Sequence, residues 1–229
     1  MRHIINEDLV QKRVGLVQRT ITFCLILLVG ATAFSFNRQS VLIAYGLMFP
    51  GTLGLTWAAR AATKWLQRPR VEEQAAKALK GLDQTYRLYS YMLPAEQVLV
   101  SPTGMFVLQL KPQTGKISCH GEKYRRHIQL KRLVPALAEE SLGKPAKRAR
   151  SDVEKMQRLL TERLPEHDVP IQPAVVFTDP NVELEVVEPA VPTVHLRDLK
   201  SWLRKASGEK TLSPDTMRAL AELLDGNAS

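Results

Sequence analysis

The chain has 229 residues, 45% of them hydrophobic, and a formal net charge of +9. That length accommodates one ordinary domain with additions, and the apolar share is enough for a packed core. Two cysteines, Cys24 and Cys119, lie too far apart in sequence for a CxxC metal site and are too few for a disulfide framework, which fits a reducing compartment.

The first elements lie in the N-terminal third. No charged residue occurs between Arg19 and Arg38, nor between Arg38 and Arg60, and both intervals are rich in Ile, Leu, Val, Phe, Ala and Gly. A helix rising 1.5 Å per residue needs roughly 20 such residues to cross a hydrocarbon core. Two transmembrane helices are therefore predicted at about 20–36 and 41–59, joined by the short linker FNRQS into an antiparallel hairpin. Pro50-Gly51 is expected to kink the second span, which membranes tolerate. Arg2, Lys12, Arg13 and Arg19 precede the first span, Arg60, Lys64, Arg68 and Arg70 follow the second, and only Arg38 lies between them. The positive-inside rule then sets both termini in the cytoplasm, with Trp57 and Trp65 near the inner headgroups. Two alternatives stand beside this: cleavage of a signal peptide at Ala31-Thr32-Ala33, and a helical hairpin buried in a soluble protein.

Beyond Pro69 a soluble helix is predicted from Val71, with Glu72 and Glu73 suiting its dipole and Gly81 or Asp83 ending it. Strand-like text follows in YRLYSYML, QVLVS and MFVLQLK, the last two joined by the turn Ser101-Pro102-Thr103-Gly104. Thr114-Gly115 makes another turn, and KISCH is expected as a further strand beside MFVLQLK. Residues 122–140 read as a basic, unpatterned connection that GKPAKRAR continues. A helix is predicted to start at Ser151, which forms an S-x-x-E capping box with Glu154. PAVVFTDP reads as a buried strand, VPTVHL as a short edge strand, RDLKSWLRK as a helix, and SPDTMRALAELLDG as a last helix capped by Ser213. The economical arrangement is an α/β fold in which helices pack on a sheet.

One detail of this order asks for a chemical reason. Strand side chains alternate, so Gln109 and Lys111 project from the same face of an otherwise apolar strand. Taken alone, the pair is a solvated strand end. In its setting it carries a family pattern: VEEQAAKAL, QVLVSPTGMFVLQLK followed by GKI, KPAKRA, AVVFTDP and VPTVHLRDL occur in that order. The segment from about Val71 to Lys205 resembles the NERD (nuclease-related) domain, a branch of the restriction-endonuclease-like PD-(D/E)xK superfamily. The resemblance implies a mixed sheet flanked by helices, here preceded by the transmembrane hairpin, with residues 206–229 as a C-terminal helical extension.

The same resemblance implies a Mg²⁺-dependent phosphodiesterase site. An Asp on the first hairpin strand and an acid two residues before a Lys hold the cation in that family, and the Lys positions or activates the attacking water. Hard oxygens suit Mg²⁺, and an ammonium offsets developing charge. Carried over residue by residue, the catalytic set is Glu96, Gln109 and Lys111, with Glu96, Gln109 and Glu72 or Glu73 as metal ligands. Glu96 stands in the Asp position and the neutral Gln109 in the acidic one, while Lys144-Pro145 and Arg148 replace the family's Asn-Pro and Gln. These departures leave two functions open: cleavage of nucleic acid, or an inactive membrane adaptor that binds nucleic acid or a protein partner.

Basic residues also concentrate between Lys111 and Arg163. Lys123, Arg125, Arg126, Lys147, Arg148 and Arg150 are the candidate contacts to a phosphate backbone, with Tyr124 placed to stack on a base. The anionic inner leaflet of the lipid bilayer is the competing partner for the same charge. Cys119-His120 and His127 have no fourth ligand at suitable spacing, and His195 reads as a strand-face residue. The absence of a Gly-rich phosphate loop, a GxSxG elbow or an HExxH helix takes most of the support from the NTPase and nucleophilic hydrolase classes.

Overall fold

The structure is a computed structural model that describes residues 1–36, 38–66, 68–127, 142–206 and 211–226. These fall into two compact units: a helical one, Glu7–Arg70, and an α/β one made of Met1–Asn6 with the described chain from Val71 onward.

The helical unit is an antiparallel pair, α1 (Glu7–Ser35) and α2 (Val41–Trp65). At 29 and 25 residues they extend about 43 and 37 Å. They exceed the predicted spans because the flanking turns are also good helix formers, and Glu7 and Asp8 favour the dipole at the start of α1. Both are long and apolar enough to cross a membrane. Their contact is a seam of small residues spaced by seven: Val10, Val17, Cys24 and Ala31 on α1, and Ala44, Gly51 and Ala58 on α2. The backbones approach so closely that a Cβ at Gly54 would lie 2.5 Å from Cys24 Sγ. Outside the seam, Phe23, Ile26, Val29, Leu42, Tyr45 and Phe49 are exposed.

The α/β unit is built on a six-stranded sheet of order β1-β2-β3-β4-β7-β9. Its strands are β1 (Arg2–Ile5), β2 (Arg87–Ser90), β3 (Gln97–Ser101), β4 (Gly104–Lys111), β7 (Ile171–Phe177) and β9 (Thr193–His195). Strands β2, β3 and β4 form an antiparallel meander, and β7 joins β4 in parallel. The turn into β4 needs Gly104: its φ is +145°, and a Cβ there would sit 2.6 Å from the Pro170 carbonyl oxygen. Helices cover both faces. Leu88, Leu99, Phe106 and Leu108 pack against Ala75 and Leu79 of α3 (Val71–Leu79) and Leu199 and Leu203 of α5 (Leu199–Ala206). On the other face Tyr89, Val98, Val100, Met105 and Val107 meet Met156 and Leu160 of α4 (Pro145–Arg163) and Leu220 and Leu224 of α6 (Pro214–Gly226). This is the mixed α/β sheet with flanking helices that the sequence predicts.

Strand β1 was not predicted. It pairs in parallel with β2, held by Arg2 N–H to the Tyr86 carbonyl at 2.9 Å and Asn6 N–H to the Ser90 carbonyl at 3.1 Å. A polar row crosses the edge here: His3 Nε2 lies 2.9 Å from Ser90 Oγ, whose hydroxyl donates to Gln97 Oε1 at 2.6 Å. Burial lowers the His3 pKa from its ordinary value, with Glu73 opposing the shift.

Three expectations change. KISCH does not lie beside β4; as β5 (Lys116–Gly121) it is the centre of a second sheet, between β6 (Lys123–His127) and β8 (Glu183–Pro189). The vacant edge of β4 is taken by β7, whose Ala174, Val175, Val176 and Phe177 are all buried as a central strand requires, whereas β5 alternates and suits a half-exposed sheet. The start of the supposed connection, Lys123–His127, is strand; residues 128–141 lie outside the described residues. Finally, α4 begins at Pro145 with Lys144 as N-cap, not at a Ser151 capping box. Pro145 lacks only an N–H that the first turn leaves unbonded, and Ala146 and Ala149 continue the buried stripe.

Candidate functional site

Strand β4 leaves the apolar cluster at its C-terminal end. Met105 and Val107 point into the core under α4, and Gln109 and Lys111 continue that same side at 5% and 4% exposure. Polar groups buried to this degree need partners, because an unpaired one costs on the order of 1–3 kcal/mol. Gln109 finds its partner on α4: Nε2 donates to Asp152 Oδ2 at 2.6 Å. The second oxygen, Oδ1, receives Lys155 Nζ at 2.6 Å from a half-exposed side chain one turn along. The Lys111 carbonyl accepts the Thr178 N–H at 2.8 Å, which ties the end of β4 to the residue after β7.

Asp152 is the residue that sequence reasoning missed. A helix start at Ser151 hides the register of the turn before it, to which Asp152 belongs. The signal was present: Ala149, Asp152, Met156 and Leu160 follow one another at helical spacing, and all four are buried. An acid on that stripe has to meet something polar across the interface, and Gln109 is what it meets. Arg148, Asp152 and Lys155 recur at helical spacing, and of the two cations Lys155 pairs with the carboxylate.

Glu96 precedes β3 and is exposed. The last β3–β4 pair is Val98 with Val107, so Glu96 lies two residues beyond the paired ladder and just outside β3. Its backbone is fixed by Tyr91, whose N–H donates to the Glu96 carbonyl at 2.8 Å. Tyr91 adopts φ 60°, a left-handed conformation rare for a bulky residue and typical of tightly determined sites. Glu72 is wholly buried in the first turn of α3, on the helix packed against the Phe106 and Leu108 face, and Tyr91 Oη lies 3.4 Å from its Oε2. The structure thus brings Gln109 to Asp152, sets Glu96 at the mouth of the same hairpin, and joins Glu72 to Tyr91.

Among the described residues, no group of three or more His, Cys, Asp or Glu side chains is placed to hold a metal ion. Mg²⁺ asks for less, since it commonly binds through one or two carboxylates, keeps several waters and takes substrate phosphate oxygens. Asp152, the Gln109 amide oxygen and Glu96 are hard donors of the right kind, so the chemistry of the donor set fits that cation.

The candidate phosphate contacts separate by surroundings. Lys123 and Arg125 are exposed on β6, and Lys147 and Arg148 are exposed in the first turns of α4. Arg150 is exposed but ion-paired with Glu122, and its Nη2 donates to the Ala190 carbonyl at 3.3 Å. Arg126 turns to the other side of β6, where Nε donates to the Thr114 carbonyl at 2.9 Å and Nη2 to Thr114 Oγ1 at 3.0 Å. Tyr124 is not presented for stacking: its hydroxyl lies 2.7 Å from Thr193 Oγ1, and burial pushes its pKa up. His127 sits 3.1 Å from Ser118 Oγ, and His195 Nδ1 accepts the Arg197 N–H at 3.1 Å.

Comparison with known families matches residues 69–178 to the model described as a nuclease-related domain, NERD. The match runs from α3 through β7, so it contains Glu72, Glu96, Gln109, Lys111 and Asp152. No curated protein and no solved structure matches the chain.

Proposed function

The chain carries a domain of the nuclease-related (NERD) family, and we propose that it is a membrane-anchored protein that cleaves nucleic acid phosphodiesters with Mg²⁺. The observation that carries this reading is the polar end of β4, where Gln109 and Lys111 are both buried on one side of an otherwise apolar strand and Gln109 meets Asp152. Glu96 and Gln109 are the ligands implied by the PD-(D/E)xK pattern; Glu72, the further acid expected with them, stands on α3, which packs on the opposite face of the sheet from Gln109. When bound there, Mg²⁺ supplies a lower pKa to a coordinated water and polarises the phosphoryl oxygen. Lys111 holds an ammonium where negative charge develops on the phosphoryl group. Lys123, Arg125, Lys147, Arg148 and Arg150 hold the phosphate backbone, and Arg126 braces the strand that bears two of them.

Membrane anchoring rests on the helical unit. A hairpin buried in a soluble protein would cover its apolar surface, yet Phe23, Ile26, Val29, Leu42 and Phe49 are all more than half exposed. Strand β1 supports an even number of crossings. Arg2–Ile5 and the chain after Val71 share one sheet, which supports the reading that the hairpin leaves and returns on one side of the bilayer. The basic flanks assign that side to the cytoplasm. Cleavage at Ala31-Thr32-Ala33 would remove β1 and leave the β2 edge bare, which favours an uncleaved chain.

The test is cleavage of single- and double-stranded DNA and RNA by the detergent-solubilised full chain, with Mg²⁺ and with EDTA. Lys111→Met keeps the apolar stem and removes the ammonium, and is expected to reduce Mg²⁺-dependent cleavage by about 100-fold. Undiminished cleavage by that variant refutes the assignment of Lys111. One observation favours a second reading, that of a non-cleaving adaptor: both Asp152 oxygens are already engaged and Gln109 is nearly buried. Salt-sensitive binding to nucleic acid without cleavage in any divalent cation selects that alternative.

A further inference from the structure

Gln109 and Asp152 are 5% and 4% exposed and meet at 2.6 Å, Nε2 to Oδ2. A primary amide has one donating and one accepting end, whereas an ionised carboxylate only accepts. Binding the nitrogen to Asp152 therefore fixes the amide's orientation and directs its oxygen away from the carboxylate. A glutamate at 109 would instead set two like charges against each other in a buried place, where water screens them poorly. Position 109 is neutral because position 152 is charged. Lys155 offsets that charge on the other oxygen from the solvent side, so the carboxylate is not an isolated buried ion.

We infer that positions 109 and 152 share one negative charge, that Asp152 carries it, and that this carboxylate, delivered by α4, is the anionic group a divalent cation uses at this site. Asp152 also positions Gln109 by holding its amide nitrogen, which leaves the amide oxygen as the ligand end. The cation half of the inference rests on the metal-dependent reading above, while the shared charge can be measured without any metal.

The experiment is a double-mutant cycle on the detergent-solubilised full chain, comparing wild type, Gln109→Glu, Asp152→Asn and the double variant. In EDTA, Gln109→Glu is expected to melt roughly 5–10 °C below wild type, Asp152→Asn to change little because amide can bond amide, and the double variant to recover most of the loss. Adding Mg²⁺ or Mn²⁺ is expected to raise the melting temperature of wild type and of the double variant, but not of Asp152→Asn. A Gln109→Glu protein as stable as wild type, or a double variant whose loss is the sum of the singles, overturns the shared charge. A wild-type cation response retained by Asp152→Asn overturns the role of Asp152. A coupled cycle with no cation response in any of the four proteins overturns the metal-dependent reading itself and leaves the shared charge standing.

Discussion

Leu220→Ala is expected to destabilise the whole α/β unit, although Leu220 lies on the last helix and beyond the matched segment. The residue is 0% exposed and packs in the cluster that contains Tyr89, Val100, Met105, Met156 and Leu160. Truncating a fully buried leucine removes three carbons, Cγ and its two methyls, and leaves a cavity, a loss of about 3 kcal/mol. For a protein of this size each kcal/mol moves the midpoint by about 2–4 °C, so the variant should melt about 6–12 °C lower. Glu222→Ala, on the exposed side of the same helix, is the control and should stay within about 0.5 kcal/mol of wild type. The polar end of α6 adds a second check. Asp225 accepts Tyr89 Oη–H and Arg87 Nη1–H, both at 2.8 Å, and burial pushes the Tyr89 pKa up to about 12, so the phenol stays a donor at neutral pH. Asp225→Ala should therefore cost about 1–3 kcal/mol. Thermal and urea unfolding of the full chain in detergent measure all three. Equal midpoints for Leu220→Ala and Glu222→Ala would mean that α6 is an independent extension and not part of the core.

Deleting residues 2–5 should bare the edge of β2 and cause concentration-dependent self-association, read by light scattering; a monodisperse deletion variant at the wild-type mass would contradict the strand's edge-covering role. His3 predicts a pH dependence. Its folded pKa lies below the unfolded 6.5, so the unfolded chain binds more protons; the contribution is full above the unfolded value and is lost as pH falls through the folded one. His3→Gln should flatten that part of the stability profile as pH falls below the unfolded value, and an unchanged slope would exclude His3 as its source. On β6, Arg125→Ala should lower the salt dependence of nucleic acid binding by about one unit of slope and leave stability alone. Arg126→Ala should instead lower stability by about 1 kcal/mol, since it breaks the bonds to Thr114. Identical effects of the two on binding would refute that division.

Much of the architecture could be read along the chain because it follows from local repeats. Two charge-free intervals set the helical hairpin, since span length is a property of composition. The period of two set Gln109 and Lys111 on one face, and the order of helix, strands, helix and strand gave the layered fold. Long-range pairing decided the rest. Which edge of β4 stays open depends on whether β5 or β7 buries more apolar surface against it, and β7 does so on both faces. β1 reaches β2 only because its partner strand, more than eighty residues away, presents a free edge and the Ser90 hydroxyl. The meeting of Gln109 with Asp152, 43 residues apart, depends on how α4 lies across the sheet, and that is fixed by Met156 and Leu160 in the core. Periodicity tells each side chain which way to point from its own backbone. Only the packed structure, by removing both groups from water, tells it which distant side chain it must satisfy.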